Sequence, residues 1–151
     1  ILYCLVVSVV AIIVSGCGST KYSKTEQEYL DTMYTAVKEL QNNLESFQFS
    51  LFQRNQLHKK DEEYAQSLFE GMLAISVIHE ALKKVDPPKR FEKDHTQFIK
   101  GLNMLNEISL RLSTQTATDE DNEKYNESIK LINSSSRKLQ AAYHEATAST
   151  Q

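Results

Sequence analysis

Beyond residue 17 the chain has no cysteine, it has no tryptophan at all, and it spreads only two prolines and four glycines over 151 residues. Without thiols past Cys17, neither a disulfide framework nor a thiolate metal cluster can hold the main part of the chain, and stability has to come from packing. So few prolines and glycines disfavour a loop-rich sandwich and favour long, uninterrupted elements. Strong positive charge is missing too: the formal net charge is -3. A phosphate-tracking nucleic-acid binder normally carries a basic patch or stripe, so nucleic acid is excluded as a partner class. What remains is an ordinary globular composition, 40% apolar and 25% charged, with seven tyrosines and six phenylalanines. A domain of ~130 residues buries roughly two thirds of its unfolded surface, enough for one core.

The beginning is different. Ile1 to Val14 reads ILYCLVVSVVAIIV without a charge, and Ser15, Gly16, Cys17 and Gly18 follow at once. That length suits the apolar region of a signal peptide better than a membrane span of ~20 residues. Neither Met nor a Lys/Arg-bearing segment precedes it, so residues 1–16 read as a leader lacking its own start. The tetrad Val14-Ser15-Gly16-Cys17 resembles the lipobox of bacterial lipoproteins: an aliphatic residue, two small ones, then cysteine. The resemblance implies cleavage between Gly16 and Cys17, a covalent diacylglycerol on Cys17, and anchorage at the extracytoplasmic face of the cell membrane. Two or three acyl chains, at ~0.8 kcal/mol per buried methylene, hold far more firmly than one myristoyl group. Residues 17–22 would then form a short tether, leaving the domain close to the headgroups.

From Ser23 the apolar residues follow a helical period. Ser23-Lys24-Thr25-Glu26 has the form of a capping box, and Leu30, Met33, Val37, Leu40, Leu44, Phe47 and Leu51 recur at alternating spacings of three and four. The polar run Asn55 to Asp61 interrupts this, and Tyr64, Leu68, Gly71, Ile75, Ile78, Leu82 and Val85 resume it. This second segment also carries Phe69, Met72, Leu73 and Val77, which predicts the most buried helix. Asp86-Pro87-Pro88 stops it, because the residue before a proline avoids the α region. Phe91, His95, Phe98, Leu102, Leu105, Ser109 and Leu112 mark a third helix, which ends in the polar loop Ser113 to Thr118. Thr118-Asp119-Glu120-Asp121 places a cap and three carboxylates at the positive end of a fourth, carried by Tyr125, Ile129, Ile132, Ser136, Leu139, Tyr143 and Ala146. Four amphipathic helices on short connections predict an all-α, up-down-up-down four-helix bundle over 23–147, with a frayed tail beyond.

In an antiparallel bundle, positions equidistant from a turn share a height. Counting outward from Pro87 sets His79 against His95, with Glu92 three residues before His95 in the Glu-x-x-His unit of di-iron bundles. No second such unit exists, so a di-iron centre is excluded. One metal ion on His79, His95 and Glu92 is the metal candidate, since imidazole and carboxylate suit zinc. Against it stands a histidine at the core boundary, hydrogen-bonded to a carboxylate. Haem ligation by Met33 and His144 is disfavoured, because His144 follows the seam residue Tyr143 by one and turns toward solvent. His58 falls in the first connection. Gly71 and Gly101 lie mid-helix at similar height on either side of the Pro87 turn. Each costs ~1 kcal/mol relative to alanine, which predicts close approach of the second and third helices there or, as the alternative, a small cavity that accepts a ligand.

Pro88, Phe91, His95, Phe98 and Leu102, in the run PPKRFEKDHTQFIKGLNMLNEIS, resemble a pattern of small, uncharacterised lipoproteins of Gram-positive bacteria: Pro-Pro, an aromatic, a histidine and an apolar helix. The resemblance implies no activity and favours a structural part for His95. Neither a Ser-His-Asp ordering nor a phosphate-cradling glycine loop occurs, so the chain reads as a non-enzymatic binding module. Its expected partners are the membrane, through the lipid, and a protein or envelope component met through the exposed side of the longest helix. A prophage-type exclusion or immunity lipoprotein is one alternative; a metal or small-ligand carrier using His79 and His95 is another.

Overall fold

The computed structural model describes residues 21–57, 62–114 and 116–148. The helices are α1 (Lys24–Leu57), α2 (Glu62–Leu82), α3 (Glu92–Thr114) and α4 (Asp119–Ala148), and no strand occurs among the described residues. Side-chain contacts give their directions. Phe47 of α1 meets Gly71 of α2, and Ser50 meets Ser67, so α1 and α2 are antiparallel. Between α3 and α4 the ion pairs Asp94–Lys138, Lys100–Glu127 and Glu107–Lys124 run in opposite order, and Gln48–Tyr125 with Gln41–Gln140 does the same for α1 and α4. Each helix packs on its two neighbours in chain order, closing an up-down-up-down four-helix bundle.

The apolar periodicity becomes the core: Leu30, Met33, Val37, Leu40 and Phe47 from α1, Leu68, Ile75 and Leu82 from α2, Phe98, Leu102, Leu105 and Ile108 from α3, Ile132 and Leu139 from α4. Alpha1 starts where the sequence says. Glu26 accepts from the Ser23 N–H at 2.8 Å and donates its own N–H to the Ser23 hydroxyl, the reciprocal bonds of a capping box. Some boundaries move. Asn55, Gln56 and Leu57, read as an interruption, still belong to α1, and Ser113 and Thr114, read as loop, close α3. Val85 and Phe91, read as helical, lie in the connection between α2 and α3, where the Phe91 N–H bonds to the Pro88 carbonyl at 2.8 Å. Both still pack on the core.

Alpha2 overturns a larger expectation. Its extra apolar residues do not make it the most buried helix, since Phe69, Leu73 and Val77 are 61%, 54% and 60% exposed. The seam Leu68, Ile75, Ile78 and Leu82 already fills the interior side, and four helices around one core bury only one face of each.

Alpha3 and α4 approach closely where Gly101 lies against Ser128 and Ile132. Ser128, Ser135 and Ser136 of α4 are buried, and their hydroxyls bond to carbonyls of their own helix at 2.8, 2.6 and 2.6 Å. The connection is clamped by Asp121, which accepts from Arg111 Nε at 2.9 Å and Nη2 at 2.6 Å and from the Thr118 N–H at 3.0 Å. First the Arg111 guanidinium, then the Thr118 donors, hold the Asp121 carboxyl well below its ordinary value of 3.8. The folded value lies below the unfolded one, so this stabilisation is present above about pH 4 and is lost as the pH falls below it. Asp121→Asn should therefore lower Tm at neutral pH, with the gap to wild type narrowing in thermal melts taken below about pH 4. A gap that stays constant down to pH 2 would show that the charge contributes nothing.

Candidate functional site

Where α2 ends at Leu82, about three turns of α1 extend past it, and the connection 83–91 folds across them. Its aromatic ring is the cover: Phe91 stacks on Tyr29 at 5.4 Å between centroids and on Tyr22 at 6.3 Å. Arg90 lies over Tyr22 at 4.2 Å and donates to the Lys21 carbonyl at 3.1 Å. The Tyr22 hydroxyl donates to Glu145 at 2.6 Å, and Lys21 pairs with the same carboxylate. Tyr22, assigned above to the tether, is thus a buried part of the bundle, because its ring completes the aromatic stack.

His95 and His79 have different surroundings. His95, buried, is met by the Tyr29 hydroxyl at Nδ1, 3.1 Å away, and its ring also bonds to the Leu82 backbone. The assignment that satisfies both has Tyr29 donating to Nδ1 and the ring N–H directed at the Leu82 carbonyl. The partner is therefore a phenol rather than the expected carboxylate. Burial, opposed by the Leu82 bond, lowers the His95 pKa from 6.5, and burial together with the Asp94 charge raises that of Tyr29. His79 is 2% exposed, and neither ring nitrogen has a hydrogen-bond partner. Burial lowers its pKa as well, with Lys83 adding to the effect and Glu80 opposing it.

Glu92 and His95 line one open groove of about 400 Å³, with Lys83, Asp86 and Thr96 also on its wall. His79 is not on that wall, and among the described residues no three His, Cys, Asp or Glu side chains converge to hold a metal ion. Equal spacing from Pro87 gives the two rings no common set of partners. His144 is exposed and sits edge-on to Tyr34 and Tyr143, while Met33 is in the core. Cys17, Gly16 and His58 lie outside the described residues.

The nearest charge to the His79 ring, Glu80 Oε1 at 3.6 Å from Nδ1, is beyond hydrogen-bond reach, and a buried imidazole without a hydrogen bond is costly in itself. Replacing both its nitrogens by an apolar group of similar size is expected to stabilise, by about 1 kcal/mol. His79→Leu should therefore unfold at higher urea than wild type at pH 7. Since both folded histidine values lie below 6.5, wild type loses stability as the pH falls from about 6.5, when the unfolded chain takes up protons first. In the variant that loss should be shallower between pH 7 and 5. Equal slopes in urea titrations across that range would mean that His79 does not carry it.

The glycines make close contacts, but not with each other's helix as expected. A Cβ on Gly71 would stand 3.0 Å from Phe47 Cβ in α1, and one on Gly101 would stand 2.8 Å from Ile132 Cγ1 and 3.0 Å from the Ser128 carbonyl in α4. Each glycine serves the antiparallel pair on its own side of the bundle.

The surface holds what the sequence reading did not separate from the core. Phe49 and Phe52, three apart on the outer side of α1, are both more than half exposed, as is the α2 series Phe69, Leu73 and Val77. The available signal was an excess: more apolar residues than one seam per helix can bury. No helix among the described residues is long and apolar enough to cross a membrane. The chain matches no family model, no curated protein and no solved structure.

Proposed function

We propose that this protein is a non-enzymatic surface lipoprotein, held at the extracytoplasmic face of the cell membrane by diacylglycerol on Cys17, whose bundle binds a protein or envelope component through the outer face of α1. The anchor rests on the sequence Val14-Ser15-Gly16-Cys17 behind an uncharged apolar run. The binding reading is carried by one observation: Phe49 and Phe52 stand side by side in solvent on the longest helix. Aromatic side chains in that position cost solubility and gain nothing in folding, whereas interfaces are enriched in them. From Cys17 to Lys21, where the chain is fastened to α4, is at most ~14 Å even when extended, so the bundle stands on its aromatic-capped end.

Two measurements test the two halves. Mass spectrometry of the chain extracted from cells should find a cleaved N-terminus with acylated Cys17, and Cys17→Ala should leave the membrane fraction without that modification. A bare thiol behind an intact leader overturns the anchor. For binding, a photo-crosslinking residue at position 49 in the full chain should form one discrete adduct in cells. Phe52→Glu should remove it while leaving the melting curve within about 0.5 kcal/mol of wild type, as for other exposed substitutions. An adduct that survives the charge, or none with wild type, rejects the α1 face.

A further inference from the structure

Alpha2 carries a second apolar surface with an internal order of its own. Ala65, Phe69, Leu73, Val77 and Ala81 recur every four residues along it, and all five are exposed. Residues four apart form one continuous ridge on a helix, with ~6 Å between successive members. This ridge is symmetric about its centre: Leu73 in the middle, one large apolar residue four positions to either side, and alanine four beyond each. Reversing the helix direction about Leu73 superimposes Phe69 on Val77 and Ala65 on Ala81. At the two ends of the ridge the charged sequence has the complementary symmetry, while Glu70 and Glu80 beside it fall on uncharged Ser76 and Gln66. Glu62 and Glu63 open α2, while Lys83 and Lys84 follow its last turn, and the same reversal brings acidic positions onto basic ones, 62 onto 84 and 63 onto 83.

We infer that α2 is a self-association face: two copies of this chain pair antiparallel across a two-fold axis at Leu73. An isologous contact requires one patch to complement itself, residue i meeting residue j and j meeting i, and the ridge meets that requirement both in side-chain size and in sequence charge. Parallel pairing would bring the two acidic starts together and the two basic ends together, which opposes it electrostatically. The face lies on α2 and does not use Phe49 or Phe52 of α1, so it stands or falls separately from the partner site proposed above.

Disulfide mapping on the full chain in isolated membranes tests both the pairing and its direction. Leu73→Cys should give a covalent dimer on mild oxidation. Phe69→Cys in one tagged copy should cross-link to Val77→Cys in a second, differently tagged copy, at least several-fold more than Phe69→Cys cross-links to itself. Wild type sets the background from any thiol at Cys4 or Cys17 that cleavage and acylation leave free. Sedimentation of the full chain in density-matched detergent should give a dimer mass that falls to a monomer with Leu73→Glu, while the far-UV spectrum and Tm of that variant stay close to wild type. A monomer at all concentrations overturns the inference, as does a dimer indifferent to Leu73→Glu. Predominant Phe69–Phe69 cross-linking overturns the antiparallel register. A monomer whose adhesion to vesicles of phosphatidylglycerol and phosphatidylethanolamine is lost with Leu73→Glu would assign the ridge to a bilayer and equally reject the second copy.

Discussion

Phe47→Ala is expected to remove about 4 kcal/mol of stability, the upper part of the range for a buried aromatic. The ring is fully buried, and the residue opposite it is Gly71, which has no side chain to relax into the space the ring leaves. A cavity whose walls cannot close costs both the lost transfer energy and the lost contacts. Against a total of about 5–15 kcal/mol for a domain, the loss is large enough to shift the urea midpoint by roughly 2 M, with an unchanged slope. The glycine provides an internal control. In wild type, Gly71→Ala trades ~1 kcal/mol of helix propensity against a contact at 3.0 Å with Phe47, and should be close to neutral. In the Phe47→Ala background the ring no longer resists a small closing of the helices, so the same substitution should recover about 1 kcal/mol. A double-mutant cycle measures this coupling. Strict additivity, or a Phe47→Ala variant as stable as wild type, would show that α1 and α2 do not pack through this pair.

Gly101 should behave differently although its residue type and mid-helix position are the same. A methyl group there would meet the Ser128 carbonyl at 3.0 Å and the Ile132 backbone nitrogen at 3.2 Å, besides Ile132 Cγ1 at 2.8 Å. Backbone atoms cannot rotate aside, so α4 must move as a whole against the ion pairs and the Arg111–Asp121 clamp that fasten it to α3. Overpacking of this kind costs about 1–3 kcal/mol. Gly101→Ala is expected to lose about 1–2 kcal/mol net of its helix propensity, and Gly101→Val about 3 kcal/mol or more, with Tm falling by roughly 4 °C per kcal/mol. A Gly101→Ala protein more stable than wild type would refute the close contact and leave propensity as the only effect.

These two glycines also mark where the sequence stops being informative. Both were recognisable as places of close helix approach, because glycine inside a helix is otherwise a loss of ~1 kcal/mol. Which helix each faces was not. Gly71 turns to α1 and Gly101 to α4, and height along the bundle, the only coordinate that spacing supplies, cannot tell those faces from the one between α2 and α3. The histidines fail in the same way. His79 and His95 are equidistant from Pro87 in sequence, yet one is bound by Tyr29 across the bundle and the other has no hydrogen bond, because spacing along the chain does not say which side chains surround each ring. Tyr29 itself was passed over, since the apolar series starting at Leu30 already accounted for that turn.

By itself, the sequence determined the number, order and direction of the helices, their caps at Ser23 and Thr118, and most of the core, from Leu30 to Phe47 and from Phe98 to Leu105, though not the buried Ile108. These features are local. A period near 3.6, a hydroxyl three residues ahead of a carboxylate and a Pro-Pro step act through neighbouring residues, and short connections then leave one arrangement for four amphipathic helices. Only the tertiary structure decided which of the apolar residues of α2 are inside. Leu68 and Phe69 adjoin in the chain, yet one is buried and the other stands in solvent, because the bundle has room for one face of each helix and the choice is made by the neighbours that helix acquires.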